Sequence, residues 1–194
     1  MAAREKKYNI LVASADEKLR DFLAQILPSG EYEIAPVVKS AGEARRKFIS
    51  TQYNILIINT PLSDETGIEL AQDMSERAVG ILVLTDIHSF DQTAHDLEEL
   101  GVLTASKPFG RQQAYAYVKL LTAFSNRLSK MEKANKTLQE KVIDIRVVNR
   151  AKWVLITNEG LSEEEAHHRI EQIAMENRES ARMAAEDIIK NYEE

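Results

Sequence analysis

Four residues in a long helix-forming stretch have the types and spacing for binding chemistry: Arg146, Arg150, Lys152 and Trp153. Cationic side chains neutralise phosphates, and a flat aromatic ring can stack an unpaired base. On a helix advancing about 100° per residue, with Val142 at 0°, Trp153 falls at about 20°, Arg146 at about 40° and Arg150 at about 80°. Val147, Val148, Ala151, Val154 and Leu155 fill the arc from about 120° to about 240°. The single Trp of the chain thus shares a face with two Arg, outside the apolar arc. This pattern favours an RNA-facing set. The alternative is a Trp153 packed against another helix or a partner chain. Arg169 and Arg178 are weaker candidates, because they are interleaved with Glu and equally suit solvated ion pairs.

Catalytic chemistry is not indicated. The chain has no Cys, which removes thiol nucleophiles, disulfides and Cys-based zinc sites. His88, His95, His167 and His168 show no zinc spacing, and no H-E-x-x-H occurs. His167 and His168 are adjacent and point about 100° apart on a helix. With seven Gly in all, there is no glycine-rich phosphate loop. No enzyme activity, metal or cofactor is expected. The net charge of −6 weighs against a nucleic-acid binder. Residues 141–194 carry 8 Lys and Arg against 12 Asp and Glu, so any RNA site is a local basic face on an acidic body.

The elements that hold these residues fall into two textures. Short apolar runs occur at Tyr8–Ala13, Tyr32–Val38, Tyr53–Asn59, Val79–Thr85 and Val102–Ser106. Helix-like segments lie between them at Asp16–Leu27, Ala41–Ser50, Thr66–Ser75 and Asp91–Leu100, with another starting near Arg111. Serial β-then-α units predict an α/β fold with a five-stranded, doubly wound parallel sheet of the flavodoxin type. Runs such as Ile55-Leu56-Ile57-Ile58 lack alternation, as strands covered on both faces do. Chemistry in such a sheet belongs at the carboxyl ends of the strands.

From Arg111 to Thr157 there is neither Gly nor Pro. Leu121, Phe124, Leu128, Met131, Asn135, Leu138, Val142 and Ile145 repeat at alternating three- and four-residue steps, the a/d seam of a coiled coil. The polar a position, Asn135, suits a parallel dimer, in which two facing amides can pair. An intramolecular αα-hairpin is the alternative. Gly160 should end this helix, and Ser162 with Glu165 forms a capping box for the next. A break at Asn177-Arg178-Glu179 precedes a last helix. The chain therefore reads as an α/β unit over 1–120, a coiled-coil linker over 121–133 with heptads continuing to about 145, and a small all-α three-helix unit over 134–194. No membrane-spanning run or signal peptide is seen, so a cytoplasmic protein with no membrane partner is expected.

The first unit resembles the receiver domain of response regulators. Thr85 matches the hydroxyl residue ending the fourth strand, and Lys107-Pro108-Phe109 the Lys-Pro-Phe of the fifth. Gly67 falls eight residues after the acceptor position. That acceptor position is Asn59, however, and the Mg²⁺-binding acidic pair falls on Ser14 and Ala15. An amide is not a usable nucleophile toward phosphorus, and without clustered carboxylates little would hold Mg²⁺. The resemblance implies a degenerate phosphorylation site at Ser14, Ala15, Asn59, Thr85 and Lys107. This site would be a structural hydrogen-bond cluster, or would hold a small ligand or a sensor protein. Asp64 and Asp86 are the nearest substitute acceptors, and both read better as turn formers. Asp16 reads as a helix N-cap.

The second unit resembles the ANTAR domain of antitermination regulators through Arg146, Arg150-Ala151-Lys152, Leu155-Ile156, Gly160, Ser162, Ala166, Ala174-Met175, Ala185 and Ile188-Ile189. Trp153 departs from the Gly often found there. The resemblance implies a homodimeric regulator whose heads bind tandem hairpin loops in nascent leader RNA. Two alternatives remain: an adaptor whose receiver docks a sensor and whose tail binds protein, and a regulator phosphorylated on a non-standard acceptor. A DNA-binding output lacks both a helix-turn-helix and a basic arm.

Overall fold

A computed structural model describes residues 7–193; the ends of the expected 1–120 and 134–194 segments, residues 1–6 and 194, lie outside the described residues. The chain divides into two compact units, Met1–Met131 and Glu132–Glu194.

In the first unit, β1 (Tyr8–Ser14), β2 (Tyr32–Ile34), β3 (Ile55–Asn59), β4 (Gly80–Asp86) and β5 (Leu103–Lys107) form one sheet in the order β2-β1-β3-β4-β5. All its pairings are parallel. The helices between strands are α1 (Lys18–Ile26), α2 (Ala41–Ser50), α3 (Ile68–Ser75) and α4 (Phe90–Leu97), the last extended by a 3₁₀ turn over Glu98–Leu100. α5 (Arg111–Glu159) follows. Alternate strand residues feed two cores. Leu11, Leu56, Ile58, Ile81 and Val83 pack with Ala44, Phe48, Leu70, Met74 and Leu97 of α2, α3 and α4. Ile10, Val12, Ile55, Ile57, Leu82 and Leu84 pack with Leu23 of α1 and with Val118 and Leu121 of α5. Burial on both faces is why these strands are continuously apolar.

Where the elements differ from the sequence expectation, a local cause is visible. β2 stops at Ile34 rather than Val38, because Pro36 has no N–H to give a ladder; Val38 returns as a single bridge to Ala13. α1 begins at Lys18, with the Asp16 carboxylate accepting from the Lys18 N–H at 3.0 Å. α3 begins after Gly67, whose φ of 96° is left-handed and whose missing Cβ would stand 2.8 Å from Ile58 Cγ2. No other residue type fits both constraints.

The second unit contains the C-terminal part of α5, then α6 (Glu163–Asn177) and α7 (Ala181–Glu193). Gly160 has φ 71°, as a helix-ending residue needs. Ser162 and Glu165 form the reciprocal capping box. Arg178, left-handed at φ 55°, makes the turn into α7. The core is Ala151, Leu155, Ala166, Ile170, Ala174, Ala184, Ala185 and Ile188. Ala-rich contacts let the helices approach closely. Among the described residues, no helix is long and apolar enough to cross a membrane.

Candidate functional site

At the carboxyl ends of the strands, register sets Ser14 against Asn59 and Asp86 against Lys107. Lys107 Nζ donates to Asn59 Oδ1 at 2.9 Å and to the Thr60 carbonyl at 2.7 Å. Asn59 Nδ2 donates to Ser14 Oγ at 3.0 Å. Ammonium can only donate, so the Asn59 carbonyl must face Lys107 and its amide N–H must face Ser14. Burial lowers the Lys107 pKa, against the opposing pull of Asp86 and Asp16. Thr85 is buried and Ala15 is exposed. The five residues singled out from the sequence thus sit at or just beyond neighbouring strand ends, and three of them, Lys107, Asn59 and Ser14, form a linear hydrogen-bonded chain. They do not suit a divalent cation: Ser14 and Ala15 supply one hydroxyl where hard cations need several charged oxygens. Among the described residues, no group of three or more His, Cys, Asp or Glu could hold a metal ion.

The substitute carboxylates are engaged as caps. Asp64 accepts from the Ala41 N–H at 2.8 Å and the Gly42 N–H at 3.0 Å, at the start of α2. The Gly42 bond and then the Ala41 bond hold its pKa below the ordinary value. Asp86 accepts from the His88 and Ser89 N–H groups and from Ser89 Oγ. Its pKa is also lowered, chiefly by Ser89.

On α5 the candidate RNA residues separate into two groups. Trp153 is 70% exposed, so neither α6 nor α7 covers it. Arg146 and Arg150 are exposed too, while Ala151 and Leu155 face the core, as the helical wheel requires. Arg146 makes no ion pair among the described residues. Lys152 departs from the expected set: its side chain is only 16% exposed and its Nζ lies 2.8 Å from Glu163 Oε1. That long-range ion pair could not be read from the local sequence. Arg169 lies exposed on α6 and Arg178 at the α6–α7 turn, so neither shares the α5 face. Arg182, interleaved with Glu, is held by Asp144 and Glu186.

The heptad seam also divides. Leu121 is 2% exposed and belongs to the core of the first unit, where it packs over Gly80. It is therefore not free to act as a coiled-coil knob. Phe124, Leu128, Met131, Leu138, Val142 and Ile145 are all exposed apolar residues, with Asn135 exposed in their row. Phe124, Leu128 and Met131 also border an apolar groove of about 480 Å³ with Val79, Leu100 and Val102.

Comparison with known proteins agrees with both halves of this architecture. Residues 136–189 match the ANTAR domain. The chain is 26% identical over 184 residues to the transcriptional regulatory protein PdtaR of Mycobacterium tuberculosis (strain ATCC 25618 / H37Rv), covering 93% of this chain and 89% of that one. The signal receiver domain of an HD domain-containing protein from Pseudomonas fluorescens Pf-5 superposes with a TM-score of 0.58 at 17% identity, covering 67% of this chain and 97% of that chain. A CheY-like response regulator receiver domain protein from Methanospirillum hungatei JF-1 gives 0.53 at 22% identity, covering 66% and 99%.

Proposed function

We propose that this chain, a receiver-type α/β unit followed by an ANTAR domain, is a cytoplasmic RNA-binding antitermination regulator that acts as a homodimer. The observation that carries the reading is the α5 face on which Trp153 and Arg146 stand exposed, opposite the arc that packs on α6 and α7. Arg146 and Arg150 neutralise phosphates, and Trp153 offers a stacking surface to a loop base. The exposed row from Phe124 to Ile145 supplies the dimer seam, with Asn135 setting parallel register. Two linked heads on two tandem hairpins of a leader transcript gain by effective concentration, so weak single contacts suffice on an acidic body. Holding those hairpins blocks a competing terminator stem, and polymerase reads through.

Switching does not use a phospho-aspartate. Asn59 lacks the nucleophile, and its amide is occupied by Lys107 and Ser14. The receiver unit serves instead as a fixed scaffold at the head of the dimer.

The test is recovery of bound transcripts from total RNA by the purified full chain, beside an Arg146→Ala/Arg150→Ala variant. Enrichment of leaders with paired hairpins, lost in the variant, is the expected result. Equal recovery by both proteins, or no enrichment, contradicts it.

A further inference from the structure

We propose that Trp153, Asn149 and Glu163 form a pocket for a single unpaired adenine of the bound RNA. The inference rests on the RNA reading above and adds which base is taken and which residue reads it. A cavity of about 400 Å³ opens beside Trp153, lined by Asn149, Lys152, Ile156 and Glu163. This lies in the size range of ligand sites rather than of packing defects. Its geometry follows from the helix. Asn149 stands four residues before Trp153 and seven before Ile156, so the three share one side of α5. Glu163, in the first turn of α6, is held in place by the 2.8 Å ion pair with Lys152. That bond keeps the Glu163 pKa below its ordinary value, so the group is a carboxylate acceptor at neutral pH.

The chemistry presented is a flat indole, a free amide and a carboxylate. The Asn149 side chain makes no hydrogen bond among the described residues, leaving one donor and one acceptor available side by side. An amide of this kind pairs in bidentate fashion with the N6 amine and N7 of adenine. The second N6 hydrogen can be given to Glu163. Guanine presents two acceptors, O6 and N7, on the same edge, and its O6 would face the Glu163 carboxylate. Uracil brings a carbonyl where adenine has its amine. Cytosine has an amine but a single ring, and so a smaller stack on the indole.

Trp153 is the only Trp in the chain, so its emission reports on this pocket alone. The experiment uses the full-length protein and end-labelled RNA hairpins of one stem and one loop length. Their loops are all-adenosine, all-guanosine, all-cytidine or all-uridine. Anisotropy of the label reads binding, and indole fluorescence reads occupancy of the pocket. The adenosine-loop hairpin should bind tightest and quench the indole. Trp153→Ala should weaken that binding by roughly tenfold or more, as loss of one base stack implies, and Trp153→Phe should restore most of it. Asn149→Leu should bring the four loops within about twofold of one another while quenching persists, a change that loss of one bidentate base contact explains.

Hairpin binding without quenching, with Trp153→Ala unchanged, overturns the pocket but leaves RNA binding standing. Quenching with no loop preference overturns the adenine assignment. A shift of indole emission with protein concentration alone would place Trp153 in a protein interface and overturn the proposal. No binding to any loop removes the RNA reading itself.

Discussion

At the scale of single residues, Asn59, Ser14 and Lys107 decide what the strand ends can do. Lys107 reaches the third strand, where it meets an amide and a backbone carbonyl. Removing Lys107 leaves two part-buried acceptors without their cation. Lys107→Met should therefore lower stability by about 1–3 kcal/mol, read as a fall in the thermal midpoint of the first unit. Asn59→Asp introduces a nucleophile but no Mg²⁺ site. Incubated with acetyl phosphate and Mg²⁺, that variant should show no stable mass gain, and a phosphoryl adduct would show that Ser14 and Ala15 do not matter. Asp64 gives a pH prediction. Its folded pKa lies below the ordinary 3.8, so its stabilising contribution is present above that value and is lost as pH falls through the lower folded pKa. Thermal midpoints measured from pH 5 downward should decline less steeply for Asp64→Asn than for the parent chain. Such caps are legible as turn-forming Asp residues, but which helix they cap is not. Asp64 caps α2 from 23 residues away.

At the scale of elements, the sequence was most readable where one cause acts alone. α2 and the start of α5 fall where the pattern puts them. The capping box at Ser162 and the helix stop at Gly160 are local and were legible in full. Ser162→Ala should cost about 1 kcal/mol, seen as a lower melting point for the second unit. The seam was harder. Ala114, Val118, Leu121 and Ser125 face the core of the first unit at steps of four, three and four. The exposed row beyond them repeats at nearly the same period. Leu121 sits in both patterns, and only the sheet beneath it decides which one it serves. This is why the exposed seam starts at Phe124. Every residue from 131 to 143 is exposed on the single chain, so a charge introduced there disturbs no internal packing. For the proposed dimer, Leu138→Lys should leave the helical content of each unit intact and give a monomer in sedimentation equilibrium where the parent chain is dimeric. A variant that remains dimeric would move the interface elsewhere.

At the scale of the whole molecule, an acidic chain must concentrate its positive charge to bind RNA. In the second unit Lys152 and Arg182 are held by carboxylates, and Arg146 and Arg150 stand exposed on the α5 face with Trp153. Net charge averages over all faces of the chain, whereas the helical wheel resolves a single face. The wheel placed Trp153 correctly outside the core, and the tertiary pairing of Lys152 with Glu163 is what it could not contain. In the proposed function, RNA is bound by two such faces held together by the seam. The most direct measurement is the affinity of the full chain for an RNA carrying two tandem hairpins, titrated across salt concentrations beside a single-hairpin RNA and the Arg146→Ala/Arg150→Ala variant. The paired hairpins should bind at least about a hundredfold more tightly than one, affinity should fall steeply with salt, and the variant should lose both effects. Equal affinity for one hairpin and two, insensitive to salt and to the two arginines, would contradict it.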